Sequence, residues 1–235
     1  MVNGRTYGDP CGIARALDLI GERWALLVVR ELVLGPKRFT DLRAGLPNLS
    51  PDVLAQRLRD LERVGVLRRR RLPPPAGSRV YELTEWGREL EPVVLALGRW
   101  GSRAPFPPGD AHLGVDAVML ALLTLFDPSA AAGLSADYEL ELGEQTFHAE
   151  VSDGQLELAR GRAETPDAVI ETDPGTLASA LWHGRPLADA QRAGAIKIGG
   201  SRPAVERFFS LFTPPESAAA ETPSGPGWAG SANRS

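Results

Sequence analysis

The sequence predicts an α+β protein of two domains, and three observations support this prediction. Up to about residue 100, apolar side chains recur mostly at helical spacing, interrupted by one short pair of strands. From about residue 138 onward, apolar and polar side chains alternate, as they do in half-buried strands. The proline-rich run 105–109 interrupts both patterns. We therefore expect a first domain at 1–104, a linker at 105–115, a second domain at 116–214 and a disordered tail at 215–235.

The first domain is predicted to begin with three helices, at 12–20, 23–34 and 39–44. Ser50 then caps a fourth helix, which has a proline at its first position and ends near Gly65. Leu54, Leu58 and Leu61 share one face of this helix, and the opposite face carries Asp52, Gln56, Arg59 and Arg63. One face is therefore expected to pack, while the other is free to contact a partner.

Two short strands follow, at 66–72 and 79–83, and the loop between them is too long for a tight turn. The first strand carries four consecutive arginines, and alternation places Arg69 and Arg71 on one face and Arg68 and Arg70 on the other. A helix–turn–helix followed by a basic hairpin is the arrangement by which a winged helix contacts a DNA groove and the flanking backbone. An ordinary solvated helix and a solvated run of charge remain the alternatives.

Thr84 is expected to cap the last helix of the first domain, which runs to about Trp100 with a kink at Pro92. Its apolar stripe would serve either the core of the monomer or a dimer partner.

The second domain is predicted to combine helices with an antiparallel-rich sheet. A helix at 116–126 is apolar nearly all round and is therefore expected to be buried. Asp153-Gly154 is a two-residue hairpin signal, so strands at 147–152 and 155–160 should pair. Further strands are expected at 138–142, 169–172 and 195–198, and further helices at 174–182, 187–193 and 203–211.

Charge is divided unevenly along the chain. Residues 1–105 hold 18 arginine and lysine residues against 12 acidic residues, a net charge of +6, whereas residues 106–235 hold 8 against 18, a net charge of −10. Phosphate contacts supply most non-specific affinity for nucleic acid, so only the first half is expected to contact a polyanion. All the basic residues except Lys37 and Lys197 are arginines, which suit bidentate contacts to phosphate or guanine.

Composition also argues against several classes of protein. Cys11 is the only cysteine, which rules out an internal disulfide and, with three scattered histidines, leaves no zinc-ligand set. No catalytic constellation stands out, so we expect no enzyme, no catalytic residue, no cofactor and no metal. The chain shows neither an apolar run of membrane-spanning length nor a signal peptide, so a cytoplasmic protein without a membrane partner is expected.

Residues 11–100 resemble the HxlR family of bacterial winged-helix regulators. The resemblance rests on Cys11, Ile20-Gly21-Glu22-Arg23-Trp24, Gly35 with Arg38-Phe39, Leu49-Ser50, Leu58 and Leu61 with Gly65, and Val80-Tyr81-Glu82-Leu83-Thr84 with Gly87. It implies a homodimer that binds double-stranded DNA at an inverted-repeat operator, with 12–20 and 85–100 forming the dimer contact. The residues then expected to contact DNA are Arg38, Ser50, Gln56, Arg57, Arg59, Arg63, Arg69, Arg71 and Arg79. The triple proline in the wing departs from the commoner family pattern and leaves the depth of its minor-groove contact open.

Cys11 matches an N-terminal cysteine that senses oxidants or electrophiles in some members of that family. A sensor role requires exposure and a readily formed thiolate, which Arg15 one turn later would favour. The alternative is a small buried apolar residue, and this interpretation is preferred because cysteine is among the most buried residue types.

Residues 117–212 resemble, more loosely, the sterol carrier protein type-2 fold. The resemblance rests on Val151-Ser152-Asp153-Gly154, Leu156-Glu157-Leu158, Gly161, Pro166-Asp167-Ala168, Val169-Ile170-Glu171-Thr172-Asp173, Leu177 and Gly194-Ala195-Ile196-Lys197-Ile198-Gly199-Gly200. It implies an apolar cavity that holds a lipid or another hydrophobic small molecule. A domain that only packs or dimerises is the alternative.

Together these features predict a sequence-specific transcriptional regulator, with repression favoured over activation, whose DNA affinity is tuned by a hydrophobic ligand. The alternative hypothesis is a lipid-binding protein whose winged helix contacts other proteins.

Overall fold

The computed structural model describes residues 6–75, 77–104 and 113–213. The predicted disorder of 215–235 and most of the predicted linker lie outside these residues. In the first domain the elements are α1 (Gly12–Ile20), α2 (Ala25–Val33), α3 (Phe39–Gly45), α4 (Pro51–Arg63), β1 (Leu67–Arg71), β2 (Arg79–Leu83), α5 (Glu85–Arg88) and α6 (Glu91–Gly101). Four helices are followed by a two-stranded hairpin. This order confirms the predicted winged helix.

The first domain departs from the sequence prediction at two helix boundaries. α2 begins at Ala25 because Trp24 has a left-handed φ of 77°, which a helical residue does not adopt. The expected continuous helix from Glu85 to Trp100 is wrong, since the chain forms α5 and then α6. Pro92 lies in the first turn of α6, where its missing N–H breaks no helical hydrogen bond.

The second domain contains α7 (Val115–Leu125), β3 (Ala136–Leu142), β4 (Gln145–Ser152), β5 (Gln155–Arg160), β6 (Ala168–Thr172), α8 (Pro174–Trp182), α9 (Leu187–Arg192), β7 (Lys197–Gly200) and α10 (Arg202–Phe209). In the described residues its sheet has the order β5-β4-β3-β6-β7, and only β3 and β6 pair in parallel. Asp153 and Gly154 both have positive φ, as the predicted two-residue hairpin turn requires. The antiparallel-rich α+β architecture is therefore confirmed.

One face of this sheet carries the core of the second domain. Tyr138, Phe147 and Ala149 are fully buried there, and the ring of Tyr138 lies 4.9 Å from that of Phe208 on α10. α7 is buried, as its composition predicted. It also packs against α2 and α6, which joins the two domains. Within the described residues, no helix is long and apolar enough to cross a membrane.

Candidate nucleic-acid interface

The fourth helix divides into a packing face and an exposed face, as predicted. Ser50 caps α4, its Oγ accepting a hydrogen bond from the Val53 amide at 3.4 Å. Leu54, Leu58 and Leu61 are completely buried against α2 and the rest of the first core. The exposed face carries the polar side chains Gln56, Arg59 and Arg63.

Asp60 links the polar side chains of this face. Its carboxylate accepts hydrogen bonds from Gln56 Nε2 at 3.0 Å and from the Arg63 guanidinium at 2.9 Å. Arg59 in turn donates to the Gln56 amide oxygen at 2.7 Å. Exposed pairs of this spacing contribute only about 0.2–0.5 kcal/mol each, so a partner with stronger acceptors can replace them.

Arg57 occupies a different position from the other predicted contact residues. Its guanidinium lies 3.3 Å from Glu22 and 3.2 Å from Asp60, with the side chain only 15% exposed. It lines a cleft of about 500 Å³ between α1 and α4, and its Nε is buried without a hydrogen-bond partner in the described part of the chain. Arg57 is therefore held in this cleft by two carboxylates, and we leave it out of the proposed contact face.

Three of the four wing arginines are paired with carboxylates of the same domain. Arg68 donates to Glu82 at 2.8 Å and Arg70 donates to the other oxygen of the same carboxylate. Burial of Glu82 opposes its ionisation, but the hydrogen bonds from Arg70 and Arg68 outweigh that effect and lower its pKa. Arg69 makes two hydrogen bonds to Glu62, and these lower the pKa of Glu62.

The tip of the wing retains unneutralised positive charge. Arg71 and Arg79 are directly opposite each other in the hairpin, and like charges in this position repel. Arg71 donates to the Gly77 carbonyl at 2.9 Å, but among the described residues neither arginine has a carboxylate partner. Arg38, just before α3, is likewise exposed. These three guanidiniums are available to an external anion.

A second exposed surface is apolar. Ile13 and Leu17 of α1 and Val93, Leu97 and Trp100 of α6 are exposed, with Ile13 and Trp100 both more than 70% accessible. α6 has no fully buried residue. The resemblance to the HxlR family implies a dimer contact at these helices.

Cys11 is exposed and immediately precedes α1. The preferred interpretation of Cys11 as a buried packing residue is therefore wrong. The thiol lies at a helix N-terminus, outside the first core, where solutes can reach it. A redox role stays a prediction.

A buried ionic network joins the two domains, and sequence patterns did not indicate it. Asp116, at the start of α7, accepts hydrogen bonds from Lys37 and from Arg160. Lys37 also donates to Glu31 of α2 at 2.7 Å, and its backbone pairs with Tyr81 beside the wing. Asp116 and Glu31 are almost completely buried, so their charges depend on these partners.

Among the described residues of the second domain, two polar side-chain atoms are buried without a hydrogen-bond partner. These are the hydroxyl of Tyr138 and Nε1 of Trp182. Burial raises the pKa of Tyr138 and keeps the hydroxyl neutral. Such orphaned groups are uncommon in native structures, because each costs free energy.

Comparison with known proteins gives matches over the first domain. Residues 19–105 match the family model described as HxlR-like helix-turn-helix. The uncharacterized HTH-type transcriptional regulator YvaP of Bacillus subtilis is 38% identical over 88 residues, covering 37% of this chain and 82% of that protein. The HTH-type transcriptional regulator YodB of the same organism is 36% identical over 95 residues, covering 40% of this chain and 84% of YodB. The reduced form of YodB matches with 35% identity and a TM-score of 0.36, over 43% of this chain and 98% of that one. The chain therefore belongs to the HxlR-like helix-turn-helix family of transcriptional regulators.

Proposed function

We propose that the protein is a sequence-specific regulator that places α4 in the major groove of operator DNA and the wing beside the phosphate backbone. The observation that carries this proposal is the exposed face of α4, with Gln56, Arg59 and Arg63, next to a wing whose tip arginines have no carboxylate partner within the described ranges. Amide and guanidinium groups are the side chains that read adenine and guanine edges, and unpaired guanidiniums bind phosphate. Family membership supports the same assignment.

The direct test is DNA binding measured against salt concentration, using a fragment of the protein's own promoter region. Arg59→Ala is expected to lose about 1–3 kcal/mol of binding free energy if Arg59 reaches a base edge. Arg71→Ala should weaken binding to all sequences similarly and reduce the salt slope by about 1. Arg192→Ala, which removes an exposed arginine of α9 in the second domain, is the matched control and should bind normally. Binding that is absent, or that does not depend on salt, contradicts the proposal.

The exposed apolar residues of α1 and α6 support a homodimer, which would match an inverted-repeat operator. Single exposed apolar residues are ordinary, but five on two helices favour a covered surface. Leu97→Glu is expected to shift the protein towards monomer in analytical ultracentrifugation, whereas Arg99→Gln on the same helix should not.

Repression is the favoured sign of regulation, because an operator-bound dimer can block a promoter without further contacts.

We further propose that the second domain is a sterol-carrier-type module that binds a hydrophobic molecule with a polar group. The hydroxyl of Tyr138 lies in an apolar core and has no hydrogen-bond partner among the residues that the structure describes, which supports this proposal, since a ligand would satisfy it. Native mass spectrometry of the purified protein should detect a bound lipid-like molecule, and Tyr138→Phe should reduce its occupancy. Bound lipid without any DNA affinity would instead favour a lipid-binding protein whose winged helix contacts other proteins.

A further inference from the structure

The sheet of the second domain has a second face, opposite the one that carries the core, and three metal-ligating side chains converge there. Asp137 on β3 is directly opposite Glu150 on β4, and His148 lies two residues before Glu150 on the same strand. Side chains two apart on a strand, and those directly opposite on its neighbour, point to the same face. One ligand atom from each of the three residues lies within 4.8 Å of the others, and His148 Nε2 is 2.7 Å from Asp137 Oδ1.

The strand register also concentrates negative charge at this point. Asp137, Glu150 and Glu157 form a row of carboxylates across β3, β4 and β5, each directly opposite the next. Like charges in directly opposite positions destabilise a sheet. Elsewhere on this face Arg162 binds both Glu139 and Glu141.

In the part of the chain that the structure describes, no arginine or lysine pairs with this row of carboxylates. Among the described residues, the imidazole of His148 is the only hydrogen-bond partner of the Asp137 carboxylate, and Glu150 has no hydrogen-bond or ion-pair partner. A bound cation would remove the repulsion that the register imposes. The same register brings the three ligand atoms together, so the repulsion and the convergence of the ligand atoms point to one place.

We propose that Asp137, His148 and Glu150 bind a divalent transition-metal ion, with Zn²⁺ preferred over Mg²⁺. One imidazole nitrogen and two carboxylate oxygens suit a borderline metal and leave a coordination position for water, whereas Mg²⁺ favours oxygen ligands alone. Neighbouring ligand atoms around zinc are about 3–3.5 Å apart, so the contact between Asp137 and His148 is already close to the required spacing. Glu150 is exposed, and its side chain can rotate to complete the set.

The spacing of histidines and cysteines in the sequence does not indicate this site, because its ligands come from two strands. His148 is one histidine among carboxylates, and only the pairing of β3 with β4 brings Asp137 beside it. A metal bound here would cross-link β3 and β4. The state of the acidic second domain would then depend on the concentration of available metal. Metal binding at this site does not depend on the proposed regulation of DNA binding.

The test is calorimetric titration of the full-length chain after removal of metal by a chelator. Cys11→Ser serves as the background, so that the exposed thiol does not contribute a zinc site. One Zn²⁺ per chain is expected, with no comparable binding of Mg²⁺. His148→Ala and Glu150→Gln should each weaken zinc binding by at least about tenfold.

Two control variants distinguish a ligand set from general electrostatic attraction. Glu157→Gln removes the same charge as Glu150→Gln from the next strand, but not a proposed ligand, and should weaken binding much less. His183→Ala removes the histidine at the end of α8 and should leave binding unchanged. Circular dichroism checks that each variant is folded. Absence of saturable binding, binding that survives His148→Ala, or equal effects of the two glutamine variants overturns the proposal.

Discussion

Asp116→Asn should weaken the attachment of the second domain to the first far more than the removal of an exposed charge does. Asp116 is 2% exposed and is the shared partner of Lys37, 8% exposed, and Arg160, 29% exposed. Removing one member of a buried ionic group typically costs about 3–5 kcal/mol, because the remaining charges stay buried without compensation. Asparagine keeps one acceptor oxygen and Arg160 reaches solvent. We therefore expect a loss of unfolding free energy at the lower end of this range, about 3 kcal/mol.

Urea unfolding followed by circular dichroism measures this loss, and hydrogen exchange locates it. A loss of about 3 kcal/mol corresponds to roughly a hundredfold change in the equilibrium. Exchange should increase first in α7 and around Lys37, at the junction of the two domains. Lys197→Met is the matched control, because Lys197 pairs with Glu171 at 2.6 Å while both side chains are at least half exposed. Exposed pairs contribute about 0–1 kcal/mol, so this variant should be nearly as stable as the original chain.

A double-variant cycle separates the network from simple loss of packing. Lys37→Met combined with Asp116→Leu removes two opposite charges together, while Glu31 keeps Arg30 as a partner at 2.8 Å. The combined cost should therefore be smaller than the sum of the two single costs. Additive costs, or an Asp116→Asn loss no larger than that of Lys197→Met, would refute the assignment of a coupled buried network.

Three further outcomes are expected. Gly87→Ala should destabilise the first domain by about 1–3 kcal/mol, because the added Cβ would lie 1.9 Å from the Val66 carbonyl oxygen. Gly101→Ala is the control, because a Cβ added there meets nothing within 4 Å. Thermal unfolding of both variants measures the difference. The pKa of Glu82 is lower in the folded protein than in the unfolded chain, where it is about 4.3, so ionised Glu82 stabilises the fold above that pH. This stabilisation is lost as the pH falls through the pKa of Glu82 in the folded protein. Glu82→Gln should therefore flatten the acid side of the stability profile, and an unchanged profile would be inconsistent with that pairing. Cys11 should react fully with a maleimide in the native protein, and protection until denaturant is added would contradict its exposure.

The parts of the fold that local chemistry decides were predictable from the sequence. Ser50 with a following proline, and three leucines at helical spacing, define α4 almost to its boundaries. Asp153-Gly154 defines its hairpin because both residues tolerate positive φ. The parallel pairing of β3 with β6 is different, since it depends on contacts between segments distant in the chain. Alternation alone does not specify such pairings.

The candidate site was predictable in outline, but not in its charge balance. Helical periodicity placed Gln56, Arg59 and Arg63 together, yet it gave no reason to separate Arg57, which turns towards Glu22 in a preceding segment. The same limit applies to the junction between the domains. Asp116 reads as one acidic residue at the start of an apolar helix, and its partner Lys37 lies 79 positions away.

The carboxylates of the first domain determine how much unneutralised positive charge each of its arginines carries. A net charge of +6 in the first half suggests a uniformly basic surface, but Glu62 and Glu82 already hold three wing arginines. On α4, Arg63 is paired with Asp60, whereas Arg59 donates only to a neutral amide. Within α4 and the described part of the hairpin, the arginines without a carboxylate partner are therefore Arg59 and those at the tip of the wing.

These positions lie on two separate elements of the winged helix, α4 and the hairpin. Releasing a paired arginine to phosphate leaves its former carboxylate close to the DNA, so the free arginines should dominate the salt dependence. On this basis Arg71→Ala should lower the salt slope more than Arg68→Ala, although both variants remove one charge from the same strand. Equal slopes would mean that the pairing with Glu82 does not persist on DNA.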